Sequence, residues 1–436
     1  MFFAVFLVSM KSNWVIIADD FTGAGDSAVQ FGSSGKRVRL ILKPSGNGNR
    51  GRSLAAIVVD TDTRFLSPNA AYDRVAAATH ELYAAGSRTF FKKIDSTLRG
   101  NPADEIAAVM DAASYRFAVV APSAPRNQRT VVNGLCYVAG EPLANSSVAR
   151  DPFTPVTEAR VSKLMERRFP GAVHELPLEL VRSGKEKLLA KINEQLALGT
   201  RLFVADAETM EDLRSVASLS SLDGLLFVGS SGLAEALAKK DDAVKPALPR
   251  FPQGRALFVI GSVTPTSAAQ CDRLVRKAGA VEIVVLSAAV LANPAEEKRR
   301  LLSLIRAASK RHALLIRTSG SFTPGAADLS DKNAGVLISR FLGELTLEAA
   351  RVRKIRFLFA SGGDTAARIA AALGAESIDF ISEILPGLPF GFFRSASLER
   401  RMYFVSKSGG FGDQDAMAKS LAMVSTVPVY SKEKKT

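Results

Sequence analysis

Short apolar runs, rich in β-branched and aromatic residues, alternate along the chain with longer stretches of helical periodicity. That alternation predicts parallel strands joined by crossover helices, with both faces of each sheet covered. In the first half, strands are predicted at 14–18, 37–42, 55–59, 89–93, 117–121, 202–205 and 225–228. Ser67-Pro68 offers a hydroxyl N-cap followed by Pro at the first helical position, and Gly86 supplies a stop for the same helix. Residues 122–155 break the rhythm: they are rich in Pro, Arg, Asn and Gly, with a hairpin predicted around 138–143. A long irregular insertion in an α/β domain is more often functional than idle. After a stretch containing Pro246, Pro249 and Pro252 the alternation restarts, with strands predicted at 256–260, 282–286, 313–317, 355–359 and 402–405. The expected fold class is α/β with two domains, each a mainly parallel sheet flanked by helices, and the active site in the interdomain cleft. The expected division is 12–240, a linker at 241–254, and 255–430.

Composition narrows the function classes. A chain of 436 residues is too long for one ordinary core, and 47% apolar with 23% charged residues is the balance of a soluble globular protein. The net charge of +14 favours anionic partners. The basic residues are scattered, with no aromatic-interleaved basic stripe, so no nucleic-acid partner is expected. Cys136 and Cys271 fall in different halves and His80, His174 and His312 are far apart, which removes a disulfide framework, a zinc site and a Ser-His-Asp hydrolase from consideration. The metal ligands, if any, cannot be read from this pattern. Residues 1–8 are apolar but too short to span a bilayer, and no basic region precedes them. Met10 begins a more ordinary N-terminus, so 1–9 are expected to be loosely packed. No membrane association is expected, the compartment is expected to be the cytoplasm, and a homodimer is compatible with the sequence, which leaves the oligomeric state open.

The candidate chemistry sits where predicted strands end. Asp19 and Asp20 precede a Gly-rich turn, Phe21-Thr22-Gly23-Ala24-Gly25-Asp26, that opens a helix. Carboxylates at the C-terminal end of a parallel strand can accept bonds from substrate hydroxyls, hold a divalent cation or serve as a base, and helix capping is the structural alternative. Lys92, Lys93, Asp95, Ser96 and Arg99 follow another strand, ahead of Asn101, which is expected to cap the helix at Pro102. Cations suited to a carboxylate, mixed with groups suited to hydroxyls, fit a polyhydroxy acid. Arg64, in Thr61-Asp62-Thr63-Arg64, is a further carboxylate clamp. In the second half three loops repeat one logic: Gly261-Ser262-Val263-Thr264, Ser361-Gly362-Gly363-Asp364-Thr365, and Ser406-Lys407-Ser408-Gly409-Gly410. Glycines after a strand let peptide N–H groups approach a phosphate, and the following helix adds a favourable dipole. No GxxxxGK[ST] loop occurs.

Read together, these motifs resemble the four-carbon acid sugar kinase family over nearly the whole chain, from about 15 to 422. The carriers are IADDFTGAGDSAVQF at 17–31, FKKIDSTLRGNP at 91–102, GSSGLA at 229–234, GSVTPTSAAQ at 261–270, SGGDTA at 361–366, LPGLPFG at 385–391 and SKSGGFGD at 406–413. The resemblance implies an N-terminal substrate domain, a C-terminal ATP domain, and transfer of the γ-phosphate of ATP, with Mg2+, to the terminal hydroxyl of a four-carbon aldonic acid. The KKIDST form is closer to D-threonate and D-erythronate kinases than to 3-oxo-tetronate kinases. The resemblance implies that Asp20, Arg64 and residues 92–96, with Lys92, Lys93, Asp95 and Ser96, hold the acid; Asp19 and Arg99 join them as candidates from the same loops, and Asp20 or Asp95 is expected to orient or deprotonate the attacking hydroxyl. It also implies that Ser262, Gly362, Gly363, Asp364, Thr365, Ser408, Gly409 and Gly410 hold ATP, and Lys407, in the last of these loops, is a further candidate for the same role. The chain departs from relatives at Pro122–Arg129, which often read as a small-residue stretch containing Gly, and at Gly25, where a Thr or Asn is more common.

Overall fold

A computed structural model of the protein describes residues 12–32, 37–42, 54–151, 154–238, 248–319 and 331–426. The expectations for residues 1–9, for 241–247 of the linker and for the end of the chain beyond 429 lie outside the described residues. The chain divides into two compact units, Met1–Ala243 and Val244–Thr436.

The first unit contains β1 (Ser12–Ala18), β2 (Val38–Ile41), β3 (Leu54–Asp60), β4 (Phe90–Lys93), β5 (Phe117–Ala121), β6 (Arg129–Val132), β7 (Leu135–Val138), β8 (Glu141–Pro142), β9 (Val173–Leu176), β10 (Leu202–Ala205) and β11 (Leu225–Gly229). Its main sheet runs β2-β3-β1-β4-β11-β5-β10-β9, and every neighbouring pair is parallel. Central strands such as β5, buried at every position, read as unbroken apolar runs because helices cover both faces. Edge strand β9, Val-His-Glu-Leu, is half-exposed over three of its four residues, so it lacked such a run and escaped the sequence reading.

Register decides where the chemistry falls. Ala18 pairs with Asp60 and with Lys93, Lys93 with Gly229, and Gly229 with Ala121, so these residues form one row across the C-terminal edge. The loops carrying Asp19-Asp20, Thr61–Arg64 and Ile94–Arg99 all leave from that row. The 122–155 insertion folds as the small antiparallel sheet β6-β7-β8. Its two turns, Asn133-Gly134 and Ala139-Gly140, have left-handed φ at both positions, as two-residue hairpins require. The predicted hairpin around 138–143 is the second of these.

The second unit contains β12 (Ala256–Ile260), β13 (Val281–Val285), β14 (Leu314–Thr318), β15 (Phe357–Ser361), β16 (Ser377–Leu385), β17 (Leu388–Ser395) and β18 (Arg400–Lys407). The order is β13-β14-β12-β15-β18-β17-β16, parallel as far as β18 and antiparallel beyond it. Phe258, Phe357, Phe359, Phe390 and Val405 sit in its core. The β16–β17 hairpin was not anticipated. It turns at Pro386-Gly387, and Gly391 lets the strands close up: a Cβ there would lie 2.5 Å from the Asp379 carbonyl oxygen. No described helix is long and apolar enough to cross a membrane.

Candidate active site

At the end of β1 the backbone turns into a fully buried helix, Phe21–Phe31. Asp20 is its N-cap and accepts from the Gly23 N–H at 3.1 Å, so the capping alternative holds for Asp20. Capping does not exhaust it. Arg64 donates from Nη2 to Asp20 Oδ1 at 2.6 Å and from Nε to Asp19 Oδ2 at 2.8 Å, and its Nη2 lies 3.6 Å from Asp95 Oδ1. One guanidinium thus gathers three carboxylates from two loops. Burial by itself would raise the proton affinity of Asp19; Arg64, Lys93 and Lys92 outweigh it and hold Asp19 below its ordinary value. Asp19 Oδ1 is buried without a hydrogen bond.

The end of β4 splits its two lysines. Successive strand residues face opposite sides. Lys92 is fully buried, and its Nζ contacts Glu105 at 2.6 Å and donates to the carbonyls of Ile17 and Lys93. It therefore lies in the interior with its charge matched, away from the position a substrate clamp needs, because Glu105 on the helix Pro102–Ala112 occupies it. Lys93 turns the other way, toward the β1 loop, and donates to the Ile94 carbonyl at 2.8 Å. Gly23 is required between them: a Cβ there would lie 2.5 Å from Asp20 Oδ1 and 2.6 Å from Lys93 Nζ.

Past Lys93 the loop is organised around Asp95. Arg99 grips it with two bonds, Nε to Oδ2 at 2.9 Å and Nη2 to Oδ1 at 3.0 Å, and both the Thr97 hydroxyl and the Thr97 N–H donate to Oδ2. Burial opposes ionisation, but Arg99 and Arg64 hold the Asp95 carboxyl well below the usual range. Leu98, buried, takes a left-handed φ of 61°, a strained choice for a branched residue and one that clusters at functional loops. Ser96 is half-buried beside this network. Asn101 stands at the helix N-cap position but makes no capping bond with its side chain; its amide instead donates to the carbonyls of Thr63 and Leu66, tying the two loops together. The sequence reading missed Asp60 and Thr97. Both lie within or beside motifs already singled out, and position at a strand end was the available signal.

In the second unit β12, β15 and β18 are adjacent, with Ile260 opposite Ser361 and Ser361 opposite Lys407. Their three glycine loops therefore lie side by side, which sequence order alone did not dictate. Small residues let them touch. A Cβ on Gly409 would meet Ser262 Oγ at 2.3 Å, and one on Gly261 would meet Thr365 Oγ1 at 2.1 Å. Gly362 has φ 105°, opening the helix Gly363–Ala372, whose first turn carries exposed Asp364. Lys407 is fully buried, and its Nζ donates to the carbonyls of Ser408, Gly409 and Phe411 at 2.9, 2.8 and 3.2 Å. Burial lowers its proton affinity to about 8. Because a trans peptide sets C=O and N–H on opposite sides, carbonyls drawn inward to this ammonium turn the Gly409 and Gly410 N–H groups away from it. Lys407 thus shapes the loop from within. The helix Pro265–Ala278 fastens the same loop: Ser267 Oγ donates to the Gly409 carbonyl, and Gln270 Nε2 donates to those of Phe411, Gly412 and Asp413. Ser267 and Gln270 were not foreseen. Among the described residues no group of three or more His, Cys, Asp or Glu is placed to hold a metal ion.

Comparison with known proteins matches these two ends to two domain models: a sugar-binding N-terminal domain over residues 14–237 and a nucleotide-binding C-terminal domain over 257–417. The chain is 31% identical over 422 residues to a D-threonate kinase of Salmonella typhimurium, covering 93% of this chain and 97% of that protein. It is also 31% identical over 429 residues to a D-erythronate kinase of Heliobacterium modesticaldum, covering 93% and 95%. A crystal structure of a Haemophilus influenzae protein superposes with a TM-score of 0.70 at 23% identity, over 94% of this chain and 100% of that one, which shows the shared fold. A cluster of acids and guanidinium groups in one unit, with glycine-rich loops at the strand ends of the other, suits a phosphotransferase that acts on an alcohol group, the class to which the curated relatives belong. The chain belongs to the four-carbon acid sugar kinase family.

Proposed function

We propose that the protein transfers the γ-phosphate of ATP to the terminal hydroxyl of D-threonate or D-erythronate, forming the 4-phosphate. The observation that carries this reading is the convergence of Arg64, Lys93 and Arg99 with Asp19, Asp20 and Asp95 on one edge row. Arg64 Nη1 has no hydrogen bond among the described residues and Lys93 uses one N–H of three, so cationic donors remain for a substrate carboxylate. The Asp20 and Asp95 carboxylates and Ser96 accept or share hydrogen bonds with the acid's hydroxyls. Lys92 supports this edge from the interior. On the nucleotide side, the N–H groups of Ser408 to Gly410 and of Gly363 to Thr365, with the Ser262 hydroxyl, receive the phosphates; the Gly362 N–H is bonded to the Lys407 carbonyl at 3.0 Å and only turns the chain into the helix, and the Lys407 side chain keeps its loop in shape. Mg2+ would be bound chiefly by the phosphates and water, with Asp364 an exposed carboxylate in the first turn of the helix after β15, and would neutralise phosphate charge.

The test is an ADP-release assay with purified protein, ATP, Mg2+ and a panel of D-threonate, D-erythronate, 3-oxo-tetronate and the uncharged C4 polyols. One of the first two acids is expected to give the highest kcat/KM, with the polyols lower by roughly 10–150-fold, the value of a charge-assisted bond. Highest turnover of 3-oxo-tetronate would reassign the substrate. No ADP from any C4 acid, with binding retained in calorimetry, would make the protein a sensor of sugar acids.

A further inference from the structure

The carboxylates assigned so far are poorly suited to take a proton. Asp19 and Asp20 are paired with Arg64, and Asp95 is held by Arg99. A fourth carboxylate stands on the same edge. Asp60 ends β3 and pairs in register with Ala18, the residue before Asp19. Its Oδ1 accepts from the Asp62 N–H at 2.9 Å, the local turn of a carboxylate onto the backbone two residues on. Its Oδ2 makes no hydrogen bond and Asp60 forms no ion pair among the described residues. Asp60 is half-buried, unlike Asp19, which is 3% exposed. From these positions we infer that Asp60 is the proton acceptor for the attacking hydroxyl, an inference that rests on the sugar-acid kinase reading above.

The charged groups around it favour that role. Asp19 and Asp20 face it from the β1 loop, and Asp62 lies on its own loop. Arg64, on that loop too, is committed to Asp19 and Asp20. Arg74, from the helix Pro68–Ala84, donates to the carbonyls of Thr61 and Asp62 at 3.3 and 3.2 Å and so pins the loop without pairing with Asp60. Lys93 is on β4, across β1 from β3. Burial first, then the neighbouring Asp20, Asp62 and Asp19 charges, raise the proton affinity of Asp60 to about 8 despite the opposing Asp62 N–H bond. A base poised near the working pH is the efficient one. In the step, the substrate O–H bond breaks and its proton passes to Asp60 Oδ2. The hydroxyl oxygen forms the new bond to the γ-phosphorus, the bond from that phosphorus to the bridging oxygen breaks, and ADP leaves with the electron pair. Asp60 returns its proton to solvent after product release.

The experiment is the single-turnover rate at saturating ATP and sugar acid from pH 6 to 9, for the wild type and Asp60→Asn. Saturation separates Asp60 from Lys407, whose titration bears on ATP affinity. The wild type is expected to show a rate that rises with pH and levels off above about 8. Asp60→Asn keeps an acceptor for the Asp62 N–H; it is expected to lose about 10²-fold or more in rate, to lose the rising limb, and to bind the acid within a few-fold of the wild type. A rate within threefold of the wild type, or a slowed variant that keeps the rising limb, overturns the assignment. Should Asp60→Asn fail to fold, the wild-type profile decides by itself: a flat rate across this range overturns it. If the wild type turns over no C4 acid, the kinase reading has failed, and that outcome is visible before any variant is made.

Discussion

The edge of the first unit is built from charged side chains: Arg64 and Arg99 are interlaced with Asp19, Asp20 and Asp95 in a network that leaves little slack. The edge of the second unit is built from peptide groups, with Gly261 and Gly409 packed so closely on Thr365 and Ser262 that an added methyl would collide, and one buried lysine beneath the last loop. Both edges are built the same way, from loops at the C-terminal ends of adjacent parallel strands. The difference matches the two ligands of the proposed function. A sugar acid offers a carboxylate and several hydroxyls, each needing a partner of matching type and direction, which only distinct side chains supply. Polyphosphate offers many equivalent anionic oxygens, which peptide N–H groups serve well if nothing bulky stands in front of them. The first edge should therefore fail through lost charge matching, and the second through added volume.

The largest expected effect tests the first edge. Arg64→Ala leaves Asp19 buried without its cation and removes the link among three carboxylates. Breaking a buried ion pair by deleting one partner costs about 3–5 kcal/mol, so unfolding by urea should shift by that amount and acid binding should be lost. Arg64→Lys should recover only part of both, because an ammonium cannot reproduce the two-pronged contact to Asp19 and Asp20. A stability loss under 1 kcal/mol for Arg64→Ala would mean the network is loose, and the contrast between the edges would collapse.

Next in size is Gly409→Ala. The added Cβ meets Ser262 Oγ at 2.3 Å, and overpacking of this kind costs about 1–3 kcal/mol. Expressed in binding, that is roughly 5–150-fold weaker ATP affinity by calorimetry, while affinity for the sugar acid is unchanged. Equal losses for both ligands would show that the two edges do not act as separate binding elements.

A pH-dependent effect sharpens the comparison within the first edge, by asking whether Asp60 is there for stability. In the unfolded chain its carboxyl ionises near 3.8, whereas in the folded protein it keeps its proton to about 8. Between those values the folded state holds more protons, so this group lowers stability as pH rises through the window. Asp60→Asn has no proton to lose. Its Tm should exceed that of the wild type by a margin that grows from about pH 4 to about pH 8 and is constant above. Higher stability with lower rate is the signature of a group kept for activity; a lower Tm at pH 8 would mark Asp60 as structural.

Much of this was legible in the sequence. Unbroken apolar runs such as Phe117–Ala121 marked central parallel strands, and the acids and glycines just after such runs marked the ligand edges, because a parallel sheet places its loops in a predictable way. Strands with weaker local signals were not legible. Half-exposed Val173–Leu176 and the hairpin strands Ser377–Leu385 and Leu388–Ser395 derive their order from neighbours more than from their own pattern.

Residue type and position at a strand end determined which groups were candidates, because chemistry and alternation are local properties of the chain. Tertiary structure decided what each candidate does. Lys92 and Lys93 are identical side chains one residue apart, yet one is matched by Glu105 in the interior and the other borders the Asp20 loop. Lys407, read as a phosphate ligand, lies beneath its loop and holds carbonyls. Asp60, passed over beside Arg64, ends in register with Ala18 and forms no ion pair among the described residues. Those outcomes depend on which strand lies next to which, and on charges that come from residues tens of positions away, so no local reading of the chain contains them.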